Sequence, residues 1–598
     1  MKEETNYSHN WKLDNLYPDG SVSSQFRDHI KHIEIKMCNL EDELKHFNTP
    51  QEISESSKFA DIIDSIGYIR INLSQVNSYL TCLLAQNPKD QNAPTLKGKT
   101  SSINARFEAT LKKLQKILLR TDHHLWEDML DTPDLHTYKF ILNEWREKAD
   151  MHLPDDEESL VADLMVDGYH AWGEFYHSLI GSIKVNIHVD GESKELSVGQ
   201  AINLRSHPDE EVREKSFYAL EEIWKEKEEQ FAKILNHIAG FRLQVYKNRR
   251  LENILEEPLI ENRIKEETLN AMWRAVSKNK QPFNRYLNQK ANMNDHTKMK
   301  SYNFWAPIKN TNIKIKYEEA VNFILKHFSQ FGTELESFTR QAFVSEWIEA
   351  EDRPNKSMGA FCASFPVSGE SRVFMTYGNR ITNVLTLAHE LGHAFHNHAM
   401  KPIKGINRQY PMCIAETAST FAEMIILDAA LAEAESTEEK LFLLDEKLKR
   451  SVMNFMNIHS RFLFEKRFYE ERKSGIVLSS RLNELMQEAI DEGYDYSFDS
   501  ASIHSWVWTP HYYITKSPFY NFPYTFGYIF SLSIYARAKE KGKEFEKDYL
   551  ALLRDSGSMS TEDLVMKHLG EDITSEAFWQ KGIELCVRDV KEFITLTS

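Results

Sequence analysis

The stretch LTLAHELGHAFHNHAM, residues 385–400, carries four histidines and one glutamate at spacings that fit an α-helix. His389 and His393 are four residues apart, so a helix would place both imidazoles on the same face. Two nitrogens in that arrangement can bind one zinc ion at roughly 2.0–2.1 Å. Glu390 is rotated by about 100° from His389 and therefore suits a general base better than a metal ligand. The stretch predicts a metal-binding helix with HExxH spacing.

The same helix has a predicted buried side. Leu387, Leu391 and Phe395 repeat every four residues, which is typical of a face that packs into a core. Gly392 lies between them and would cost about 1 kcal/mol in a helix interior relative to alanine. We therefore expect another element to pack closely against this glycine.

Two further histidines follow the HExxH pattern. A third histidine ligand in an HExxHxxGxxH site would need Gly at 396 and His at 399, but these positions hold His396 and Ala399. A catalytic zinc needs only three protein ligands. His396 and His398 are therefore expected on the polar face of the helix or beside the site, not on the metal.

The third ligand is expected from the following helix. CIAETASTFAEMIILDAALAEA, residues 413–434, is strongly helical and carries Glu416 and Glu423 two turns apart on one face. Residues 389 and 416 are far enough apart for a helix, a loop and a return helix. A site of two histidines and one glutamate leaves a fourth position open for water, as hydrolysis requires.

Two segments interrupt an otherwise helical pattern. In SIKVNIHVDGESKELSV, alternating apolar residues precede the turn pair Asp190–Gly191, which predicts a surface β-ribbon between two helical lobes. In SMGAFCASFPVSGESRVFMTYG, residues 357–378, two β-prone runs flank a Pro/Ser/Gly turn just before the histidine helix. This second segment predicts a small sheet beside that helix.

The composition limits the class of protein. A chain of 598 residues is too long for one core, so two or more lobes are expected. The low content of glycine and proline, 22 and 17 residues, favours long helices. The net charge of −17 without a basic stripe argues against nucleic acid or an anionic membrane surface as a partner.

The five cysteines are far apart and contain no CxxC pair, which favours a reducing compartment. The N-terminus has no apolar core of signal-peptide length, and no apolar run approaches bilayer length. The sequence predicts a cytoplasmic protein without a membrane partner and does not indicate an oligomeric state.

Four motifs together resemble the oligoendopeptidase F and thimet oligopeptidase family of zinc metallopeptidases. WKLDNLY near the N-terminus looks like the start of oligoendopeptidase F sequences. GAFCASF resembles the family's substrate-side strand, TLAHELGHAFH its zinc helix and IAETASTFAE its third-ligand helix. These motifs occur in the family's order along most of the chain and are far more specific than HExxH alone.

The resemblance implies a mainly α fold of the zincin type. The family body is prolate and helical, with a deep substrate channel and a small β-sheet beside the zinc helix. In this chain we expect a helical N-terminal lobe over residues 1–200, ending in the β-ribbon, and a metallopeptidase domain over residues 201–598. Such a channel would admit only short unstructured peptides.

The resemblance also assigns roles at the metal. It implies one zinc ion per chain, bound by His389, His393 and Glu416, with Glu390 as the general base for a zinc-activated water. Glu423 matches the second acid of the ligand helix, and it is expected to orient a zinc histidine by accepting the other N–H of the ring.

Two further segments are expected to meet the peptide. The strand from Gly359 to Ser364, which includes Ala360 and Phe361, would hold the substrate backbone by strand addition, with small residues that permit close approach.

Residues 509–536 look like the family's His/Tyr substrate loop. His511 matches the family histidine, whereas Tyr520, Tyr524 and Tyr528 compete for its tyrosines, because the spacing differs from that of other members. A phenol aimed at the oxyanion would assist acyl transfer. Any single tyrosine could instead merely pack the channel wall.

The sequence therefore predicts a zinc-dependent oligoendopeptidase that cuts internal bonds of short peptides. A peptidyl-dipeptidase of similar fold is an alternative, but no particular Arg or Lys marks itself as the group that would bind a C-terminal carboxylate. A non-hydrolytic peptide-binding protein is a second alternative, against which the intact Glu390 argues.

Overall fold

The computed structural model describes residues 7–189, 191–308 and 314–598. The chain folds into two compact units, and each unit combines three separate segments. The first unit comprises Met1–Met151, Ile313–Ala429 and Arg537–Glu571, and the second comprises His152–Asn312, Ala430–Ala536 and Asp572–Ser598. The sequence analysis divides the chain once, near residue 200, and that sequential division remains a prediction.

Helices form most of the first unit. The first long helix begins after Ser23, whose side chain accepts a hydrogen bond from the Phe26 backbone N–H, as an N-cap should. The α-helices are Ser24–Lys45, Ser56–Gln86, Ala93–Leu119, His123–Leu130, Lys139–Asp150, Tyr317–Phe331, Thr333–Val344, Ile381–Ala399, Met412–Ala415, Thr417–Glu433, Phe545–Asp555 and Thr561–Leu569. Short 3₁₀ turns occur at Gly20–Val22, Ile53–Glu55, His136–Tyr138, Gly405–Arg408 and Gly542–Glu544.

The first unit contains a three-stranded sheet. Its strands are Ile348–Glu349, Phe361–Phe365 and Glu370–Phe374. Glu370–Phe374 is the central strand, antiparallel to Phe361–Phe365 and parallel to Ile348–Glu349. Phe365 and Phe374 are fully buried in the core that the N-terminal helices form. The sheet also contacts helix Ile381–Ala399, so the predicted sheet beside the histidine helix is confirmed.

The second unit is built mainly around the 39-residue helix Glu210–Asn248. Its other α-helices are Asp155–Met165, Ala171–Ser182, Val198–Asn203, Glu256–Glu261, Glu266–Lys278, Lys280–Asn292, Thr437–Val452, Ile458–Arg472, Ser479–Tyr494, Ser505–Trp508, Phe522–Lys541 and Glu576–Thr597. Shorter turns are the 3₁₀ segments Leu204–Ser206, Ser301–Asn303 and Pro510–Tyr513, and the π-helical turns Val166–His170 and Met453–Asn457. Met299–Lys300 and Phe498–Ser500 form a short parallel pair.

The predicted β-ribbon is present in the second unit. Strands Lys184–Val189 and Glu192–Ser197 pair antiparallel, with Val189 opposite Glu192. The first strand alternates exposed and buried residues, and its buried side packs against helix Glu210–Asn248. Gly191 adopts a positive φ of 78°, as a tight hairpin turn requires. Asp190, the other predicted turn residue, lies outside the described residues.

These elements confirm a mainly α fold with only small sheets. Among the described residues, no helix combines the length and the apolar character needed to cross a membrane.

Candidate metal centre

The histidine helix spans Ile381–Ala399, so it begins four residues before the stretch 385–400 in which the histidines occur. Asn383 helps to fix its start, because Oδ1 accepts hydrogen bonds from the backbone N–H groups of Gly378 and Arg380 at 2.9 and 3.2 Å. The side formed by leucines 387 and 391 and phenylalanine 395 is fully buried, as predicted. Burial of this side orients the opposite face, which carries the HExxH histidines.

Gly392 lies directly against the next helix, Thr417–Glu433. A Cβ atom at this glycine would lie 2.4 Å from the Ala418 carbonyl oxygen and 2.6 Å from Ser419 Cα. Both distances are far below van der Waals contact, so only glycine permits this approach. The predicted close packing at Gly392 is confirmed, and it brings the two helices together backbone to backbone.

Three potential metal ligands converge beside this contact. The donor atoms of His389, His393 and Glu416 all lie within 4.8 Å of one another. Glu416 Oε2 is 3.3 Å from His389 Nε2 and 3.5 Å from His393 Nε2. Ligand atoms at 2.1 Å from a tetrahedral zinc ion would be roughly 3.4 Å apart. Two imidazoles and one carboxylate at these distances fit one zinc ion.

Glu416 occupies a break between two helices. The sequence predicts one helix over residues 413–434, but the structure has a short helix Met412–Ala415 and then Thr417–Glu433. Glu416 between them has φ −83° and ψ 2°, which interrupts the helical path for one residue. The Ser419 hydroxyl donates to Glu416 Oε2 at 2.8 Å and holds the carboxylate toward the histidines.

Glu423 contacts the far side of the first histidine. Its Oε2 lies 3.2 Å from His389 Nδ1. Since an ionised carboxylate can only accept, the ring proton belongs on Nδ1, and Nε2 keeps its lone pair toward Glu416. A metal-binding imidazole needs this tautomer.

The charges of the three donors also suit a cation. Burial lowers the pKa of His393 to about 4, so the ring is neutral near pH 7. Burial alone would raise the pKa of Glu416, but positive charge at His389 and His393 lowers it to about 2, so the carboxylate is ionised whether that charge comes from protons on the rings or from a bound cation. The donor set therefore includes a neutral imidazole and an ionised carboxylate before any metal binds.

Glu390 is buried next to these donors but does not belong to the converging group. Burial raises its pKa to about 7, with a further upward contribution from Glu416. A carboxyl with a pKa near the working pH can both accept and return a proton.

The remaining two histidines of the helix have other partners. His396 is fully buried, and its Nε2 is hydrogen-bonded to Ser556 Oγ at 2.9 Å. His398 Nε2 lies 3.0 Å from Glu334 Oε1. Neither belongs to the converging group of donors.

The predicted substrate strand lies at the edge of the sheet. Among the described residues, Phe361–Phe365 pairs only with Glu370–Phe374, which leaves its other edge without a strand partner. Gly359 and Ala360 precede the strand and are exposed. Gly359 has a positive φ of 97° and open space around it, so its glycine serves the turn of the chain.

A second cluster, in the other unit, contains His511, Tyr520 and Tyr524. The His511 ring is 5.7 Å from Tyr520 and 5.8 Å from Tyr524, centroid to centroid. Arg461 Nη1 lies 3.4 Å from His511 Nδ1. Because arginine only donates, Nδ1 accepts this bond and the proton of the neutral ring is on Nε2.

Tyr528 is not part of this cluster. It is buried, and its hydroxyl is hydrogen-bonded to Ser451 Oγ at 3.1 Å, with Cys586 Sγ at 3.9 Å. The structure therefore brings two of the three candidate tyrosines to the histidine.

Two residues at these sites escaped the sequence analysis. Ser419 is three residues after Glu416, and a hydroxyl at that helical spacing from a candidate ligand could have revealed it. Arg461 is 50 residues before His511 and has no motif of its own. Only tertiary folding brings this arginine to the histidine.

The chain matches known proteins over most of its length. The model described as peptidase family M3 matches residues 203–585, and the one described as oligopeptidase F matches residues 118–184. The chain is 22% identical to an oligoendopeptidase F homologue of Borreliella burgdorferi, over 98% of this chain and 97% of that protein. It is 24% identical to the oligopeptidase PepF of Bacillus subtilis, over 78% of this chain and 70% of that one.

A solved structure shares the fold. The oligoendopeptidase F of Enterococcus faecium superposes with a TM-score of 0.69 at 19% identity, over 95% of this chain and 99% of that one. The family match covers more than half of the chain, and it agrees with the convergence of two histidines and a glutamate in the first unit. The chain therefore belongs to peptidase family M3, as a peptidase related to oligoendopeptidase F.

Proposed function

We propose that this protein is a zinc-dependent oligoendopeptidase that hydrolyses internal bonds of short, unstructured peptides. The observation that carries the proposal is the set of three donor atoms from His389, His393 and Glu416, spaced for one zinc ion, with the buried Glu390 beside them. Family membership supports peptide hydrolysis, and the donor chemistry favours zinc over harder cations that prefer oxygen ligands.

The reaction is the attack of water on a peptide carbonyl. When bound, zinc supplies a Lewis acid that polarises the carbonyl and lowers the pKa of water. Glu390 accepts the proton of the attacking water and passes it to the departing amine, a role that its buried position beside the three donors supports. Glu423 holds the proton of His389 on Nδ1 and so keeps Nε2 available to the metal.

The developing oxyanion needs further donors. We assign this role to His511 and to Tyr520 or Tyr524, following the resemblance to the family loop. The Nε2–H tautomer of His511 supports the assignment, because it presents a donor from a neutral ring. Tyr528 is the least suited candidate, since its hydroxyl is buried against Ser451.

The substrate backbone would be held at the sheet. An extended peptide could add beside Phe361, along the edge without a strand partner, with the exposed Gly359 and Ala360 at its entrance. The prolate body, the deep channel and a domain boundary near residue 200 are proposed from the resemblance alone. The scattered free cysteines support a cytoplasmic location.

The alternatives remain a peptidyl-dipeptidase and a non-hydrolytic peptide-binding protein. One experiment separates all three. A mixed library of peptides of up to about 20 residues is incubated with zinc-loaded protein, with chelated protein, and with chelated protein to which zinc has been restored. Products are then mapped by mass spectrometry.

We expect cuts at internal bonds that disappear on chelation and return with zinc, and no cleavage of a folded globular protein. Cuts confined to the penultimate C-terminal bond would establish the peptidyl-dipeptidase, and intact peptides in every arm would contradict hydrolysis and leave the non-hydrolytic alternative. Full activity in protein shown by elemental analysis to be metal-free would overturn the zinc mechanism.

A further inference from the structure

The second unit contains a cavity of about 400 Å³ that is distinct from the metal centre. The π-helical turn Met453–Asn457 and the first turn of helix Ile458–Arg472 form part of its wall. Aromatic side chains form much of the remainder: Phe217, Phe304, Trp305, Tyr494, Phe498 and Trp508. A volume of this size fits a small organic ligand, and aromatic walls favour an apolar body.

Two arginines line the cavity, Arg205 and Arg461. Across the part of the chain that the structure describes, neither guanidinium forms an ion pair with a carboxylate. Arg205 stacks on Trp508 at 4.5 Å from the ring centroid, which uses its face and leaves the N–H groups at its edge. Arg461 donates one N–H to His511, and a guanidinium has further N–H groups with which it can bind a ligand.

The acid whose charge acts on Arg205 already has other partners. Glu221 accepts hydrogen bonds from the Ser502 hydroxyl and from His504, whose Nδ1 is 2.8 Å away. Burial lowers the pKa of Arg205 to about 10, although the charge of Glu221 opposes this. Burial also lowers the pKa of Arg461. Two partly buried cations that form no ion pair among the described residues favour an anionic ligand.

Asn457 adds a hydrogen-bond acceptor beside the arginine donors. Its Oδ1 is buried and has no hydrogen-bond partner among the described residues. Asn457 ends the π-helical turn Met453–Asn457, and single π turns within helices are frequent at functional sites. A ligand with an N–H could satisfy this oxygen while its anionic end meets the arginines.

We propose that this cavity binds a small carboxylate that has an apolar body and an N–H donor, the chemistry shared by N-acyl amino acids and the C-terminal ends of short peptides. Arg205 and Arg461 would bind the carboxylate, the aromatic wall the apolar body and Asn457 the N–H. Binding of such a ligand is independent of hydrolysis, whereas its arrival as a peptide end rests on the proposed function.

The direct test is calorimetric titration of the zinc-loaded protein with N-acetylphenylalanine. Two probes accompany it: N-acetylphenylalaninamide, which lacks the charge, and inorganic phosphate, which lacks the apolar body. We expect saturable binding of the acid and at least tenfold weaker binding of both other probes. No binding of the acid, or equal binding of the amide or of phosphate, would overturn the inference.

Variants then locate the site. Arg205→Met and Arg461→Met should each weaken binding of the acid at least tenfold. Arg467→Met is the matched control, because Arg467 lies on the same helix as Arg461 but pairs with the exposed Glu492. We expect no change in that variant, and equal losses in all three would overturn the assignment.

A fourth variant covers the case in which the arginine variants do not fold. Asn457→Asp places a carboxylate inside the cavity next to the unpaired cations, so it should fold and block the added acid. Unchanged affinity in folded Asn457→Asp would overturn the site.

The source of the carboxylate is tested by comparing a peptide substrate with its C-terminally amidated form. We expect KM to be at least tenfold higher for the amidated peptide, with a similar kcat. Equal KM values beside intact binding of N-acetylphenylalanine would overturn the peptide-end assignment only. Absence of any hydrolysis, with calorimetric binding intact, would overturn the proposed function and leave the cavity assignment standing.

Discussion

Two histidines, one in each unit, are both partly buried but have neighbours of opposite charge. His389 has a carboxylate behind its ring, from Glu423, whereas His511 has the guanidinium of Arg461. The carboxylate accepts a hydrogen bond from the Nδ1–H group and leaves a lone pair on Nε2. The guanidinium donates to Nδ1 and leaves a proton on Nε2.

The same imidazole therefore has two different uses. A ring whose Nδ1–H donates to a carboxylate offers a lone pair on Nε2 and suits a cation, and a ring whose Nδ1 accepts from a guanidinium offers an N–H on Nε2 and suits an anion. Burial, together with Arg461, lowers the pKa of His511 to about 4, so this ring remains a neutral donor near pH 7. The sign of the neighbouring charge decides the chemistry of each histidine.

The largest effect is expected from Glu390→Gln, which tests whether the metal centre of His389, His393 and Glu416 has a general base that is not itself a ligand. Turnover should fall by about 10²–10⁴, because the amide cannot accept the proton, while zinc content stays at one ion per chain. Elemental analysis and peptide hydrolysis are measured on one preparation. Glu334→Gln is the control, because Glu334 contacts only His398 of the same helix motif.

Loss of zinc in Glu390→Gln would mean that Glu390 is a ligand, and the assignment of the metal centre would then be wrong. Near-normal turnover with zinc retained would mean that another group takes the proton, with His511 as the first suspect.

The next largest effect tests the donor in the second region. His511→Phe keeps a ring that can stack on Tyr520 but has no N–H. Turnover should fall by about 10²–10³, with zinc content and KM little changed. Steady-state kinetics on Tyr520→Phe and Tyr524→Phe then identify the phenol that assists.

Tyr528→Phe is the matched control, because this hydroxyl is buried against Ser451. It should keep turnover within a few-fold of the wild type. If Tyr528→Phe were as slow as His511→Phe, the assignment of the tyrosines would be wrong.

A smaller effect is expected from Glu423→Gln, which removes the charge behind His389. The amide can no longer fix the Nδ1–H tautomer, so zinc affinity should drop by about 10–100-fold, as for other partners of metal-bound histidines. Competition with a chromophoric chelator measures the affinity. Glu416→Gln removes the charge of a metal ligand, so its zinc affinity should fall by a larger factor than that of Glu423→Gln.

Asp428→Asn is the control for these two variants. Asp428 lies on helix Thr417–Glu433 together with Glu423, but it pairs with Lys539. Wild-type zinc affinity in Glu423→Gln would show that the Glu423 carboxylate is not needed to make His389 a metal ligand.

The smallest effect concerns a third histidine, whose hydrogen-bond partner is a neutral hydroxyl. His396 is bonded to the Ser556 hydroxyl, and burial lowers its pKa to about 3, with a smaller contribution from His393. Between about pH 3 and 6.5 the folded chain therefore binds fewer protons here than the unfolded chain. Stability is fully present above pH 6.5 and falls as the pH drops, by up to about 1.4 kcal/mol per unit.

In His396→Asn this contribution is absent, so stability should decline less steeply from pH 7 to pH 5. Urea unfolding at several pH values measures the slope, with metal removed from every sample. His398→Asn should keep the wild-type slope, and equal slopes in all three proteins would contradict a neutral His396.

The HExxH part of the site could be predicted because its geometry is local. A four-residue spacing on a helix brings His389 and His393 to one face whatever the rest of the fold does. The buried side of that helix and the close approach at Gly392 follow from the same periodicity. The spacing from HExxH and the family motif predict Glu416 as a ligand, but they do not predict its position in a helical break, since one residue with ψ near 0° leaves no pattern in the sequence.

The second region could be predicted only in part because its contacts are distant in sequence. Tyr524 and Tyr528 are one helical turn apart, and nothing local indicates which of them is buried. That outcome depends on Ser451 and Cys586, which come from other helices. Arg461 reaches His511 across 50 residues, and each unit combines three chain segments, so these neighbours are decided by tertiary packing.

The contact at Gly392 makes the two ligand-bearing helices a single stiff chelator. Their separation is set by touching backbones, and no ion is needed to hold the donor atoms at their distances. Zinc fingers, by contrast, lose their fold when their metal is withdrawn. We therefore expect that the proposed zinc ion can be removed and restored without unfolding of the chain, so that little of its binding free energy is needed to assemble the site.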